Sequence, residues 1–91
     1  MEWNKMKLIQ NAPAGTDFYV ASEEYTTHLR ETYGDKIQYV LSVDGTTATS
    51  QLVFTDPATV LQYEADPVVI EHRRLRDEYN TAHGIVLHKQ F

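Results

Sequence analysis

Four segments of the chain have the composition and spacing of β-strands. Weak alternation of polar and apolar residues predicts the first strand over residues 5–10. Two β-rich runs, IQYVLSV and TSQLVFT, flank Asp44-Gly45, a strong hairpin signal, and the connecting loop DGTTA is predicted to exceed two residues. The final residues, IVLHKQF, predict a closing strand.

After the first strand the hydrophobic spacing changes to that of an amphipathic helix. The positions that share one face are Phe18, Ser22, Tyr25, Leu29 and Tyr33. This pattern predicts a helix that begins at Thr16, as its N-cap, and ends at Gly34. A competing interpretation makes DFYVA a strand and begins the helix at Ser22. The longer helix is preferred because Phe18 then shares a face with Tyr25.

Two Asp-Pro pairs predict two helices in the second half of the chain. In each pair the aspartate fits an N-cap, and the proline fits the first helical position, where its missing amide costs nothing. The predicted helices cover residues 57–65 and 67–83, and Gly84 ends the second. The stripe of the second helix that packs on the sheet is predicted at Val68, Leu75, Tyr79 and Ala82.

The predicted order is strand, helix, strand, strand, helix, strand. This order is typical of the α+β class with a ferredoxin-like βαββαβ layout, in which both helices cover one face of a four-stranded antiparallel sheet. Because the 91 residues contain no linker, repeat or low-complexity tract, a single domain over residues 1–91 is expected.

Two segments resemble the dimeric α+β barrel superfamily: PAGTDFYVASEEY, a turn before the first helix, and FTDPATVLQYEADPVVIEHRR, a strand followed by a short and a longer helix. Antibiotic-biosynthesis-type monooxygenases, stress-responsive barrel proteins and muconolactone-isomerase relatives belong to this superfamily. The resemblance implies a homodimer whose two sheets meet face to face, and it assigns no catalytic residue to this sequence.

The face of the predicted sheet that is turned away from the helices supports the same homodimer. It would present Ile9, Val40, Val53 and Val86 among glutamines and His88. An apolar centre of this kind is commonly buried against a two-fold copy. A monomer with this face in solvent is the alternative.

Charge and composition narrow the classes of partner. A formal net charge of -5, from 13 acidic and 8 basic residues, argues against nucleic acid as a partner. The chain has no cysteine, which removes thiolate chemistry and fits a reducing compartment. With no membrane-spanning segment or signal peptide in the sequence, a soluble, unprocessed cytoplasmic protein is expected.

The stretch IEHRRLRDEYNTAH contains the first group of candidate site residues. Helical spacing pairs Arg73 with Asp77, and it pairs Arg74 with acids one turn away on either side. Arg76 has no acid one turn away, and it shares a flank of the helix with His72 and His83, beside Tyr79. The catalytic candidates are His72, as a proton carrier, Arg76, as a binder of an anionic group, and Tyr79. The competing interpretation is that these side chains cover the edge of the core or a dimer contact.

Tyrosines form the second group of candidates. Tyr25, Tyr33, Tyr39 and Tyr79 are all predicted to point into the layer between helices and sheet, where hydroxyls could line a site for an aromatic or enol-bearing ligand. The ligand-binding candidates are Tyr39, Tyr25, Tyr33 and His83. Ordinary core packing is the alternative.

Neither a metal site nor a cofactor is expected, since the histidines lack the spacing of a metal site. If a haem did bind, His72 would be its first axial candidate.

Two functional hypotheses follow from these patterns. In the first, the protein binds or transforms a small organic molecule in a cleft between helices and sheet, in a monooxygenase- or isomerase-like manner. In the second, it is a non-enzymatic dimerisation or protein-interaction module. An enclosed pocket with His72 facing inward would favour the first hypothesis, whereas a filled layer with His72 in solvent would oppose it.

Overall fold

The structure is a computed structural model that describes residues 4–90. Its strands are β1 (Lys5–Asn11), β2 (Ile37–Asp44), β3 (Thr47–Phe54) and β4 (Val86–Gln90). Its helices are α1 (Glu23–Tyr33), α2 (Pro57–Ala65) and α3 (Pro67–His83), and a single 3-10 turn, Gly34–Lys36, joins α1 to β2. The sequence places Phe91 in the last strand, but this residue lies outside the described residues.

The four strands form one antiparallel sheet in the order β2-β3-β1-β4. The predicted α+β class and ferredoxin-like layout are therefore confirmed. Alternate residues of β3 are buried along its whole length, which places the helical layer on one face of the sheet. No helix within residues 4–90 is long and apolar enough to cross a membrane.

The hydrophobic core lies between the helices and the two central strands. The sheet contributes Met6, Leu52 and Phe54, and the helices contribute Tyr25, Tyr33, Tyr63 and Val69. Phe54 and Val69 are almost completely buried, and burial of a side chain of this size contributes about 1.5–3 kcal/mol. Three of the seven core side chains are tyrosines, so the core contains hydroxyl groups that need hydrogen-bond partners.

Beyond Ile37, which packs against the core, the helical layer leaves the edge strand β2 uncovered. In the register of β2 with β3, Tyr39, Leu41 and Val43 lie opposite Leu52, Ser50 and Ala48 and therefore on the helix side of the sheet. Their exposed fractions are nevertheless 59%, 55% and 58%. The predicted alternation of β2 is thus correct, but this row of side chains is not covered.

Helix α1 begins later than the sequence predicts. Residues 16–22 contain neither helix nor strand, and Ser22 is the N-cap, with its Oγ accepting a hydrogen bond from the Tyr25 amide at 3.1 Å. The helix predicted from Thr16 is therefore wrong, as is the alternative strand at DFYVA, whereas the alternative start at Ser22 is correct. Ser22 prevails because Glu23 and Glu24 follow it in the first turn, where acidic side chains stabilise a helix.

The turn of the β2–β3 hairpin is shorter than predicted. Only Gly45 and Thr46 separate the two strands. Gly45 has a φ of 59°, which fits a type II′ turn with glycine at its first central position. The sequence pattern predicts a longer loop because it leaves Thr47 and Ala48 in the connection. In the structure both residues pair with β2.

Helix α3 has the predicted ends but a different buried face. Asp66 caps its start through the Val68 amide, and Gly84, with a φ of 72°, ends it. The buried residues are Val69, Arg76 and Asn80, one position along from the predicted stripe, which corresponds to a rotation of about 100°. Of the predicted stripe, Val68 packs against the core, Leu75 and Tyr79 are partly buried and Ala82 is exposed, so the prediction is correct only in part.

The position of the α1 cap gives a test of this part of the fold. Ser22→Ala should reduce the free energy of unfolding by about 1 kcal/mol, because the Tyr25 amide loses its acceptor. Thr16→Ala is the matched control and should change it by less than about 0.5 kcal/mol. Urea denaturation followed by circular dichroism measures both. A larger loss for Thr16→Ala than for Ser22→Ala would contradict the late start of α1.

Candidate functional site

Tyr25, Tyr63 and His72 form an aromatic cluster where the three helices meet. The hydroxyls of Tyr25 and Tyr63 are hydrogen-bonded at 2.7 Å. The His72 ring stacks on the Tyr25 ring with a centroid distance of 3.7 Å and an interplanar angle of 5°. Tyr19, from the segment before α1, also contacts His72, with ring centroids 5.9 Å apart. Since α1, α2 and α3 each supply one member, the cluster exists only in the folded chain.

The His72 imidazole is neutral at physiological pH. Burial lowers its pKa to about 4, and the charges of Arg76 and Arg73 act in the same direction. Its Nδ1 atom is buried and has no hydrogen-bond partner within the described residues. The structure therefore places His72 partly buried against tyrosine rings, neither in an enclosed pocket nor free in solvent.

The phenols of the cluster are protonated at neutral pH. Burial raises the pKa of Tyr25, and the neighbouring Tyr63 raises it further. Burial also raises the pKa of Tyr63, whereas at the half-exposed Tyr39 partial desolvation and the nearby Tyr63 raise it. Because Tyr39 lies on the uncovered strand β2, it is the member of this group of phenols that is most open to solvent.

Arg76 is buried and paired with its neighbour in the sequence. It is 5% exposed, and its Nε and Nη2 donate to Oδ1 of Asp77 at 3.1 and 3.0 Å. Arg76 has no acid one turn away, as the sequence shows, but the adjacent residue Asp77 supplies the acidic partner. Asn80, also buried, donates to Gln10 of β1 at 3.0 Å, while its Oδ1 has no partner within the described residues.

The other two arginines of α3 form ion pairs on its surface. Arg74 bonds to Glu71 and Glu78, as predicted. Arg73 bonds through both terminal nitrogens to Glu64, each at 2.9 Å, and lies over the Tyr63 ring. The predicted pair of Arg73 with Asp77 is replaced because α2 lies beside α3 and brings Glu64 within reach.

Tyr79 and His83 lie apart from the aromatic cluster. The Tyr79 hydroxyl donates to the carbonyl oxygen of Asp17 at 2.6 Å, which fixes the segment before α1. The exposed His83 ring stacks on the Tyr79 ring with centroids 4.0 Å apart. Tyr19, which contacts His72 of the aromatic cluster, also contacts Tyr79, with ring centroids 5.5 Å apart. The candidate residues of α3 are thus divided between two locations.

A carboxylate network beside the aromatic cluster was not predicted. Oδ2 of Asp66 accepts from the Tyr33 hydroxyl at 2.6 Å and bonds to His28 Nε2 at 2.5 Å, while Oδ1 accepts from the Val68 amide. Burial acts to raise the pKa of Asp66, but these hydrogen bonds outweigh it and hold that pKa below its usual value. Spacing identified Asp66 only as a helix cap, since local patterns cannot link it to His28, 38 residues away.

Two shallow concavities of the described part of the chain lie on outer helix surfaces. One is lined by Arg74, Asp77, Glu78, Thr81 and Ala82, and the other by Glu23, Glu24, Thr27, His28 and Glu31. Neither contains His72, Arg76 or a tyrosine. Within residues 4–90 no group of three or more histidine, aspartate or glutamate side chains is arranged to hold a metal ion.

A comparison with models of known protein families finds no match to the chain, and neither does a comparison with curated proteins. We therefore infer the function from the geometry of the residues themselves.

The low pKa of His72 predicts a specific pH dependence of stability. Between about pH 6.5 and pH 4 the unfolded chain binds a proton at His72 and the folded chain does not, so acid favours unfolding in this window. His72→Phe keeps an aromatic ring and removes the titration. Relative to this variant, the wild-type protein should lose about 1 kcal/mol or more between pH 7 and pH 4, after allowance for the partial exposure of the ring. Urea denaturation at a series of pH values measures this difference, and a constant difference would contradict a low pKa.

The Asp66 network gives a second test. Tyr33→Phe removes a hydrogen bond to a charged group and should cost about 1.5–3 kcal/mol at pH 7. Because the pKa of Asp66 is lowered in the folded state, this contribution is present above the unfolded pKa of 3.8 and is lost as the pH falls through the folded value. Thr32→Ala, which removes only an exposed contact to His28, is the control and should cost less than about 0.5 kcal/mol. The cost of Tyr33→Phe is measured at a series of pH values from 7 downwards, and a cost that already falls above pH 3.8 would contradict a lowered pKa of Asp66.

Proposed function

We propose that the protein binds a planar aromatic molecule with an enol or carbonyl oxygen on the helix side of β2. The observation that carries this proposal is the β2 ledge, which we define as the side chains of Tyr39, Leu41 and Val43. All three are more than half exposed, although they lie on the face of the sheet that elsewhere carries the core. Apolar and aromatic side chains beside a few placed polar groups are the lining that is typical of organic-ligand sites.

The tyrosines at one end of the ledge supply polar recognition. Tyr39 belongs to the ledge itself, Tyr63 lies close enough to raise the pKa of Tyr39, and the Tyr25 hydroxyl is hydrogen-bonded to that of Tyr63. Their raised pKa values keep all three phenols protonated, so that they act as hydrogen-bond donors at neutral pH. The Tyr25–Tyr63 hydrogen bond uses one of the two hydroxyl protons of that pair, which leaves the other for the oxygen of a ligand.

The chemistry of the site favours binding over catalysis. A general base works best when its pKa lies near the operating pH, and the pKa of His72 is about 4. Arg76, the candidate for an anionic group, is buried and already paired with Asp77. A monooxygenase- or isomerase-like transformation therefore stays a prediction from the sequence and is second to simple binding.

The homodimer through the face of the sheet opposite the helices also stays a prediction. On that face the register places Val53 between Lys5 and Gln38, and Val40 beside Gln51. Polar side chains therefore lie between the apolar side chains of neighbouring strands on this face. The number of apolar residues there supports the interface, whereas a continuous apolar patch is lacking among the described residues. The cytoplasmic location is likewise an expectation from composition.

The alternative function, a non-enzymatic dimerisation module, is favoured by one observation. Val40 is 59% exposed on the other face of the same strand, so β2 exposes apolar side chains on both of its faces. Such a strand is suited to contact another chain.

The binding proposal can be tested with 4-hydroxycoumarin, a planar aromatic enol. Backbone amide shifts in a two-dimensional NMR titration should change mainly over residues 39–43, with coumarin binding more weakly because it lacks the enol hydroxyl. Tyr39→Ala should weaken 4-hydroxycoumarin binding by about tenfold or more, since it removes both a ring and a hydroxyl.

The control variant is Val86→Ala, which removes a similarly exposed apolar side chain from β4. It should leave the affinity unchanged. Shifts confined to the outer faces of α1 and α3, or equal effects of the two variants, would contradict a site on the β2 ledge.

A further inference from the structure

We propose that β2 pairs with β2 of a second copy of this chain, antiparallel and centred on Val40. The pairing would join two four-stranded sheets into one sheet of eight strands. It would also make the β2 ledges of the two chains adjoin. The role of the adjoining ledges as a ligand site rests on the proposed function, whereas the pairing itself does not.

The backbone of β2 has a free edge whose hydrogen-bonding groups can be assigned. The Thr55 amide donates to the Lys36 carbonyl at 3.0 Å, so the backbone groups of Lys36 point toward β3. Because adjacent residues of a strand point their backbone groups in opposite directions, residues 38, 40, 42 and 44 also bond to β3. The backbone groups of Ile37, Tyr39, Leu41 and Val43 therefore point away from the sheet, where no other strand of the described chain lies.

This edge lacks the features that normally prevent an edge strand from pairing with another chain. β2 is eight residues long, and it contains no proline and no charged residue before Asp44. The other edge strand, β4, is five residues long and contains Lys89. Short length and lysine are ordinary means of protecting an edge, so β2 is the edge that is open to pairing.

The sequence of β2 is complementary to itself about Val40. In antiparallel pairing centred there, Tyr39 lies opposite Leu41, Ile37 opposite Val43, and Gln38 opposite Ser42 of the second copy. Immediately beyond, Lys36 lies opposite Asp44, once at each end of the pairing. Apolar residues thus meet apolar residues, polar residues meet polar residues, and opposite charges meet, which is the arrangement that stabilises cross-strand pairs.

The backbone supports the same register. The residues that would exchange hydrogen bonds are Tyr39 with Leu41, and Ile37 with Val43, and these four are the residues whose backbone groups point outward. A register centred on Leu41 would also use outward groups. It would, however, place Val40 opposite Ser42 and Gln38 opposite Asp44, and it would leave Lys36 without an acidic partner. The register centred on Val40 is therefore favoured.

The pairing also determines the shape of the ligand site. Residues opposite each other in an antiparallel pair point to the same face of the sheet, so the helices of both chains would lie on one side. Tyr39 of one chain would then neighbour Leu41 of the second copy. The floor of the proposed site would be the two adjoining β2 ledges, with a helical layer on each side.

The pairing is tested first by sedimentation velocity of the full chain over a range of concentrations. The wild-type protein should dimerise at micromolar concentration, and Leu41→Lys should be monomeric because it places a lysine at the centre of the paired edge. Leu61→Lys is the matched control, since Leu61 is an exposed leucine on α2 that lies outside the sheet. Its dimer should be unchanged. A wild-type monomer at 100 µM, or a dimer that tolerates Leu41→Lys, would overturn the proposal.

A charge exchange tests the register without altering the β2 ledge. Lys36→Asp and Asp44→Lys should each weaken the dimer by about tenfold, because like charges then meet at both ends, and the double variant should restore it. Since the Lys36 charge also lowers the pKa of Asp56, the thermal stability of each variant is measured in parallel. Failure of the double variant to recover, with both single variants folded, would overturn the register centred on Val40.

The same proteins separate the two proposals. If 4-hydroxycoumarin binds a wild-type protein that is monomeric, the pairing is wrong and the ligand site stands. If a dimer sensitive to Leu41→Lys forms and 4-hydroxycoumarin does not bind, the pairing stands and the proposed function is wrong. A dimer that is disrupted by Val53→Lys and tolerates Leu41→Lys would instead place the interface on the other face of the sheet.

Discussion

The arrangement of the helices depends on one buried carboxylate, that of Asp66. This residue follows the last residue of α2 and caps the first turn of α3, and its side chain bonds to Tyr33 and His28 of α1. All three helices therefore meet at a single charged group. A buried carboxylate is costly unless it is hydrogen-bonded, and here two side chains and a backbone amide satisfy it. The aromatic cluster depends on this junction, because it brings α1 beside α2 and α3.

The helical layer fixed in this way covers the sheet unevenly. The aromatic and aliphatic core lies over β3 and one end of β1, whereas α3 places Arg76 and the Asn80–Gln10 pair over the other part of the layer. The edge strand β2 receives no comparable cover, although its apolar residues face the same way as the core. Both proposals for this protein follow from that asymmetry, since an uncovered apolar strand provides a surface for a ligand and an edge for a second chain.

Sequence patterns predicted the features that depend on neighbouring residues. The caps at Asp56, Asp66 and Gly84 are correct because a cap involves only the adjacent turn, and the hairpin at Asp44-Gly45 is correct for the same reason. The rotation of α3 was not predictable in this way, because Arg76 carries the charge of a surface residue and is nevertheless buried against Asp77. The pairing of Tyr33 with Asp66 joins residues that are 33 positions apart, and no periodicity reports such a contact.

The ionisation of Asp66 is the claim on which this account of the helical layer depends. It can be measured directly by following the side-chain carboxyl carbon of Asp66 through an acid titration by NMR. We expect a midpoint below the usual value for aspartate, because the hydrogen bonds from Tyr33, His28 and the Val68 amide outweigh burial and lower the pKa. A midpoint at or above that value would contradict the account, since burial would then dominate and the three helices would not be joined by a charged group.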